Sequence, residues 1–198
     1  AVSANASVNK NSGEYNYTFV SADKIAIIKY TGSESTVNIP SKIDGFTVTE
    51  ISGAFNVMDS LKKVVIPSTV TTISASFEYD SNLAEVTIPS SVKTIDANSF
   101  YKNTALKSIV IPSSVTTLDA FQDCTSLTSI KIGDNISDIS DYAFDESPVY
   151  ENQYKKGIVY IGKCLLYCNT EAYKSSKVTV KDGTKTIANE AFSANNTN

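Results

Sequence analysis

The chain has 198 residues, 41% of them hydrophobic and 19% charged, which is enough for one or two domains with an apolar core. It contains no His, Arg or Trp, so it lacks the residues for a Ser-His-Asp triad, a His-containing metal site or an Arg phosphate clamp. The net charge of −4 disfavours nucleic-acid binding, and no apolar run approaches the about 20 residues that cross a membrane. We therefore expect no catalytic, cofactor or metal site and no membrane insertion.

Residues 1–35 lack the repeat that fills the rest of the chain. Alternating aromatic residues at Tyr15, Tyr17 and Phe19 predict one strand, and the stretch from Ile25 to Tyr30 predicts a second. The turn between them is expected at Asp23-Lys24. We interpret 1–35 as an N-terminal β-hairpin cap over the first coil, with a separate binding hairpin as the alternative.

From residue 36 onward, one apolar pattern recurs about every 22 residues. Its anchors, an Ile-Pro dipeptide or a substituted equivalent, are Ile39, Ile66, Ile88, Ile111, Ile132 and Val180. The clearest unit fills six apolar slots at Leu83, Val86, Ile88, Val92, Ile95 and Phe100. A single coil of this length cannot bury its own apolar face, so we predict a β-rich repeat solenoid of about six stacked units over 36–198.

Each slot has a physical role in the predicted coil. Val86 and Ile88 alternate with Thr87 and form a short strand, which the following Pro ends because it cannot donate a ladder hydrogen bond. The Val92-x-x-Ile95 segment is expected to cross the back of the coil. The Phe residues that close the units are expected to stack as an aromatic ladder: Phe55, Phe77, Phe100, Phe121, Phe144 and Phe192.

A segment near 149–177 is inserted between the anchors Ile132 and Val180. Two strands, Gly157 to Lys163 and Cys164 to Tyr167, predict a hairpin with a Gly-Lys turn. Two interpretations stay open: a hairpin that widens one coil, and a recognition element that projects from the solenoid.

The end of the chain completes only the back half of a coil. A solenoid needs a polar cap on its terminal coil, and the Asn-rich residues 195–198 bury nothing. We therefore expect Val178, Val180, Ile187 and Phe192 to be partly open to water and to permit self-association through this end. The alternative is that the tail folds back as the cap.

The repeat resembles the BspA-like leucine-rich repeats of bacterial surface proteins. The stretches that carry the resemblance are Leu61 to Phe77, Leu83 to Phe100, Leu106 to Cys124, Leu127 to Phe144 and Ile187 to Phe192. It implies a right-handed leucine-rich-repeat superhelix with short parallel strands. It also implies adhesion to host matrix proteins or to other bacteria.

The three Cys residues are expected to be structural or inert. Cys124 occupies the Cys slot of the family and is expected to be a buried thiol. Cys164 and Cys168 lie four apart, about 13 Å in an extended strand, which is too far for a disulfide unless the chain turns between them.

The outward-facing strand residues are the candidate binding surface. They form two predicted columns on a continuous sheet face: Lys63, Glu85, Ser108 and Ser129, then Val65, Thr87, Val110 and Lys131. An equally weighted interpretation is a merely solvated face. Tyr residues cluster near the two irregular segments and serve either as interface anchors or as packing over the caps.

We expect a non-enzymatic module of an extracellular or cell-surface protein that binds other macromolecules, and the family resemblance implies host or matrix proteins or other cells as its partners. The chain opens without Met at Ala1-Val2-Ser3, and we expect a leader to have been removed. The alternative function is a structural spacer that binds nothing.

Overall fold

The computed structural model describes residues 9–169 and 178–193, which form a β-solenoid of about seven turns. The described part is nearly all sheet, with one short helix, α1 (Pro148–Tyr154). The strands are β1 (Lys10–Ser12), β2 (Tyr15–Phe19), β3 (Lys24–Tyr30), β4 (Thr36–Asn38), β5 (Lys42–Ile43), β6 (Phe46–Ser52), β7 (Lys63–Val65), β8 (Thr72–Ser74), β9 (Glu85–Thr87), β10 (Thr94–Ser99), β11 (Ser108–Ile111), β12 (Thr117–Ala120), β13 (Ser129–Ile132), β14 (Asp138–Ile139), β15 (Ile158–Ile161), β16 (Cys164–Cys168) and β17 (Thr186–Ile187).

The first strands form the hairpin that the alternating aromatic residues predict. β2 and β3 pair antiparallel, with Tyr15 opposite Tyr30 and Phe19 opposite Ile25. β3 then pairs parallel with β6, so the hairpin extends a sheet of the solenoid. The strand β1, at its outer edge, was not predicted. The boundary between a cap at 1–35 and repeats at 36–198 stays a prediction.

The coils build two sheets on opposite sides of the core. We call the strands β4, β7, β9, β11 and β13 the front sheet, and the parallel run β6, β8, β10, β12 and β14 the back sheet. The sequence pattern indicated only the front strands. On the back, a crossing segment was expected, but Thr94 and Ile95 pair with both neighbouring coils. Thr94 and Ile95 are both β-branched, and β-branched residues favour strands.

An aromatic ladder runs through the core, as predicted. The rings of Phe55, Phe77, Phe100, Phe121 and Phe144 stack with centroids 5.0–5.7 Å apart, and all are buried. The expectation that Phe192 continues the ladder was wrong, because its side chain is 41% exposed. The reason lies in the pairing of β17, which binds the hairpin strand β16 and not β14, so the last coil stacks on the hairpin.

The turn at each Phe uses left-handed backbone. Four ladder residues have φ between 62° and 69°: Phe55, Phe77, Phe100 and Phe121. The residues two positions after each of the five ladder Phe residues have φ between 58° and 60°: Val57, Tyr79, Lys102, Asp123 and Glu146. Bulky residues seldom adopt this region, so the coil geometry, and not the local residue preference, sets these turns.

The inserted segment contains the predicted hairpin and one unpredicted element. β15 and β16 pair antiparallel, with Ile161 opposite Cys164. The helix α1 precedes them, and its start at Pro148 after Ser147 is a signal for a helix N-terminus. Tyr173 and the other residues at 170–177 lie outside the described part of the chain.

The last coil is partly open to water, as expected. Val178 and Val180 are half-buried, and Ile187 is 47% exposed. Self-association through this end stays a prediction, and the tail at 194–198 lies outside the described residues.

Candidate partner-binding face

All eight predicted surface residues lie on the front sheet, in the predicted columns. The cross-strand pairs are Lys63–Glu85, Val65–Thr87, Ser108–Ser129 and Val110–Lys131. Alternation holds them outward, because Val64 and Ile109 point into the core from the same strands. Lys63 Nζ also lies 2.6 Å from Glu85 Oε2 across the rung, with both side chains largely solvated.

The expectation of a continuous sheet face was wrong between one pair of neighbouring strands. β9 pairs with β7 and β11 pairs with β13, but no ladder joins β9 to β11. On the back of the same coils, β10 pairs with both β8 and β12. The front sheet is therefore split into two pieces, while the back sheet is not.

A groove of about 440 Å³ lies at the split, and we call it the inter-sheet groove. Its lining comprises residues 84–88 of one coil and 108–110 of the next. Val86 is only half-buried there, whereas Val64, in the same slot one coil earlier, is fully buried. Val110 stands on the groove wall with 58% of its side chain exposed. The groove thus opens apolar surface in the middle of the predicted face.

The front sheet is basic, although the whole chain carries a net charge of −4. The front strands β4, β7, β9, β11 and β13 were counted together with the residue before each strand. They carry one carboxylate, Glu85, and four lysines: Lys62, Lys63, Lys107 and Lys131. The back strands β6, β8, β10, β12 and β14, with the residue before each, carry four carboxylates, Glu50, Asp96, Asp119 and Asp138, and one lysine, Lys93. The two sides of the solenoid therefore differ in charge sign.

Several of the Tyr residues near the irregular segments pack in the interior. Tyr17, Tyr30, Tyr150 and Tyr167 are buried, which favours their role in packing over a role as interface anchors. The sequence pattern did not single out Tyr79, which is 45% exposed. It lies in the turns that lead from each back strand to the next front strand, which we call the turn side of the solenoid. Its ring meets Tyr101 edge-on at 5.2 Å, and Lys102 Nζ lies over both rings.

The Cys slot of the repeat is a column of buried polar groups. Successive coils place Asp80, Asn103, Cys124 and Ser147 there, all fully buried. Asp80 Oδ1 accepts a hydrogen bond from the Met58 N–H at 2.6 Å, but its Oδ2 has no hydrogen-bond partner. Burial raises the pKa of the Asp80 carboxyl to about 7, and the nearby Asp59 charge adds to the rise.

The expectation for Cys124 agrees with its surroundings. Its Sγ donates a weak hydrogen bond to the Phe100 carbonyl at 3.3 Å. Burial raises its pKa to about 12, so little thiolate forms near neutrality. Cys164 and Cys168 are likewise buried free thiols, on a single strand.

Within 9–169 and 178–193, no group of three or more Cys, Asp or Glu side chains is arranged to hold a metal ion. In the same part of the chain, no helix has the length and apolar character needed to span a membrane.

Among solved structures, the chain is similar to a leucine-rich repeat protein of T. pallidum, with 30% identity and a TM-score of 0.64 over 70% of this chain and 67% of that one. A leucine-rich repeat protein from Bacteroides capillosus has 20% identity and a TM-score of 0.53, over 63% of this chain and 97% of that one. A leucine-rich cell surface protein from Faecalibacterium prausnitzii has 21% identity and a TM-score of 0.52, over 96% of this chain. This chain spans about half of that protein, 53%. The last two likenesses bear on the fold alone.

A search of curated proteins found no match. A family model described as a BspA-type leucine-rich repeat region matches residues 29–147 and 102–198, in six copies. These ranges cover the Ile-Pro units, the Phe ladder and the inserted hairpin. The chain belongs to the BspA-type leucine-rich repeat family.

Proposed function

We propose that this chain is a non-enzymatic interaction module of an extracellular or cell-surface protein, and that its front sheet binds host or matrix proteins or other cells. The leucine-rich repeat fold is commonly used for protein interaction. Its stacked strands offer an extended, regular surface that suits a long partner.

One observation carries the choice of the front sheet. It concentrates four lysines on one side of an acidic chain and leaves Val110 largely exposed beside them. A face that only had to be solvated would need neither the concentration of one charge sign nor exposed apolar surface. Complementary charge raises the association rate of a partner and selects among partners.

The family supports the proposed location. The BspA-type repeat matches most of this chain, and one structure with the same fold is named a cell surface protein. Adhesion is the activity that the family resemblance implies, and it fits a surface that binds a macromolecule.

The test is binding of the purified chain to a panel of extracellular-matrix proteins, mucosal proteins and intact bacterial cells by biolayer interferometry. A binder should lose affinity about tenfold or more when Lys63 and Lys131 are both reversed to Glu, since like charges then face the partner. The matched control is Lys93→Glu, an exposed lysine at a turn before the back strand β10, which should bind as the wild type does.

A spacer would give a different result. It would bind nothing in the panel, or its weak binding would be unaffected by charge reversal on the front sheet. Either result would contradict the proposed function.

A further inference from the structure

The inserted segment builds two adjoining clefts at the end of the front sheet. The first, which we call the helix cleft, has a volume of about 400 Å³ and is lined by residues 128–130, 148–149, 152–153 and 160–162. The second, which we call the hairpin cleft, has a volume of about 350 Å³ and is lined by residues 134, 160, 162–163 and 181–184. Tyr160 and Gly162 border both clefts. Each cleft is large enough for a small ligand, so the pair can hold two linked groups.

The walls of the helix cleft are fixed by contacts of the inserted segment. Gln153 Nε2 donates to the carbonyls of Val149 at 3.0 Å and Tyr160 at 2.9 Å, and its Oε1 accepts from the Tyr160 N–H at 3.0 Å. This one side chain therefore joins α1 to β15. Gly162 lets the hairpin tip pack against β13, because a Cβ there would lie 2.3 Å from Ile132 Cγ2. The clefts thus exist before a ligand binds, which lowers the entropic cost of binding.

The helix cleft contains main-chain groups without a strand partner. In a parallel ladder, the N–H and C=O of one residue point to one side of the strand and those of the next residue point to the other. The Ser129 N–H donates to Lys107 O, and β13 pairs only with β11 among the described strands. The N–H and C=O of Ile130 therefore face the helix cleft, which the exposed Asn152 also lines. Sugar hydroxyls suit these groups, because each hydroxyl can both donate and accept.

The hairpin cleft adds an aromatic ring and an ammonium group. The Tyr160 hydroxyl accepts from the Lys181 N–H at 2.9 Å, which fixes the ring beside the last coil. Lys181 Nζ lies 5.9 Å from the centre of this ring and forms no ion pair within residues 9–169 and 178–193. Lys163, by contrast, is paired with Asp134, and this contact lowers the pKa of the Asp134 carboxyl. The Lys181 ammonium group is therefore available to an anion.

We propose that the two clefts bind the acidic end of a glycan: a sugar that carries a carboxylate, together with the neutral sugar linked to it. The carboxylate meets Lys181 Nζ in the hairpin cleft. The neutral sugar lies in the helix cleft, where its hydroxyls bond to the main chain of Ile130 and to Asn152. The C–H groups of the sugars pack on the Tyr160 ring, whose face is negative. This site goes beyond the proposed function, because it uses none of the front-sheet lysines.

The same surroundings disfavour other anionic ligands. Asp134 and Asp182 also line the hairpin cleft, and the chain has no Arg, so a densely sulfated polymer would meet carboxylates and no bidentate partner. An extended acidic peptide cannot add as a strand along β13. Ile132 is the next residue after Ile130 to face away from β11, and the hairpin tip already packs against it at Gly162.

The first experiment is an NMR titration of the isotope-labelled full chain with sialyllactose, with a hyaluronan tetrasaccharide and with lactose. The first two carry a sialate or a glucuronate carboxylate and so distinguish the source of the acidic sugar, and lactose is the neutral match. At least one acidic glycan should shift the amide signals of Ile130, Asn152, Gly162 and Lys181, with an affinity about tenfold or more above that of lactose. Absence of these shifts with both acidic glycans, or equal affinity for lactose, would overturn the proposal.

The charge contact is tested by Lys181→Gln, which keeps most of the side-chain length and removes the charge. Affinity for the acidic glycan should fall about tenfold, to the level of lactose. The matched control is Lys185→Gln, at an exposed lysine that lines neither cleft, and its affinity should stay within about twofold of the wild type. Equal losses in the two variants would show a general effect of charge and overturn the assigned contact.

The ring contact is tested by two changes at Tyr160. Tyr160→Leu removes the ring and should weaken binding about tenfold, whereas Tyr160→Phe keeps the ring and should stay within about threefold. Wild-type affinity in Tyr160→Leu would overturn the packing on the ring. Thermal melts check that both variants fold, and if Tyr160→Leu does not, the result for Lys181→Gln decides.

A peptide of four glutamates is the probe for an acidic protein partner at the same site. Binding of this peptide that is tighter than that of both glycans, with the same amide shifts, would overturn the assignment to a glycan. Lys63→Glu should leave glycan affinity unchanged, since Lys63 lies outside both clefts. If the matrix-protein panel binds and responds to front-sheet charge reversal while neither glycan binds, the proposed function stands and the glycan site fails.

Discussion

The two sheets are built from the same coils but differ in continuity and charge. The back sheet pairs without interruption from β6 to β14 and carries carboxylates. The front sheet is split between β9 and β11 and carries lysines. Both share one aromatic and aliphatic core, so the difference lies at the surface. A repeat can therefore keep its core constant while the pairing and the charge of one of its sheets change.

The largest expected effect comes from a substitution in the aromatic core that the two sheets share. Phe100 is fully buried between Phe77 and Phe121, with ring centroids 5.0 and 5.1 Å away. Phe100→Ala should lower the free energy of unfolding by about 3–5 kcal/mol, because it leaves a cavity in the ladder. Chemical denaturation measures this loss, with the exposed Tyr79→Ala as the control. Unchanged stability of Phe100→Ala would contradict the ladder.

The next prediction concerns the turn side that links the back sheet to the front sheet. The pKa of Asp80 rises from 3.8 to about 7 in the fold, so the native state binds more protons than the unfolded state between these values. The contribution of Asp80 to stability should therefore be fully present below about pH 4 and be lost as the pH rises to about 7, by an amount on the order of 4 kcal/mol. Melts of Asp80→Asn should show a flatter pH profile over this range.

The control for this profile is Glu190→Gln, at an exposed carboxylate of the last coil. It should keep the pH dependence of the wild type. A profile of Asp80→Asn that matches the wild type would show that Asp80 does not titrate as its burial requires.

A further prediction concerns the chemical reactivity of the Cys124 thiol, which tests whether water and reagents are excluded from the core. Cys124 is fully buried, and its pKa is raised to about 12. A water-soluble thiol reagent should label it only after unfolding, since the thiolate is scarce and shielded. Mass spectrometry of native and denatured samples measures this. Rapid native labelling at Cys124 would place the slot outside the core.

The smallest effect sharpens the description of the front face. Lys63 and Glu85 are paired but solvated, and such pairs contribute at most about 1 kcal/mol. A double-mutant cycle with Lys63→Ala and Glu85→Ala should give a coupling energy in that range. A much larger coupling would mean that the pair is a structural element and not part of a binding surface.

The sequence pattern predicted much of this structure because each apolar position of the repeat can be buried in only one place of the coil. The strands at Lys63–Val65 and Glu85–Thr87, the ladder from Phe55 to Phe144 and the hairpin from Tyr15 to Tyr30 follow from alternation and period. The helix α1 was missed, although Pro148 after Ser147 is a start signal.

The split between β9 and β11 had no signal in the residues. Glu85-Val86-Thr87 and Ser108-Ile109-Val110 alternate like their neighbours, so the pattern predicts pairing at every rung. Whether two rungs are close enough to pair depends on how the coils stack, which residue types alone do not encode. The exposed Val110 was included among the candidates, but its place on a groove wall was not foreseen.

Amide hydrogen exchange measured by NMR tests the central claim, that the front sheet is open at one rung while the back sheet is closed. The N–H groups of Val86, Ser108 and Val110 should exchange rapidly, whereas those of Ile109, in the same strand, and Ile95, on the back, should be protected. This alternation along β11 would confirm an open edge. Protection of Val86 and Val110 equal to that of Ile109 would show a continuous sheet and contradict the account.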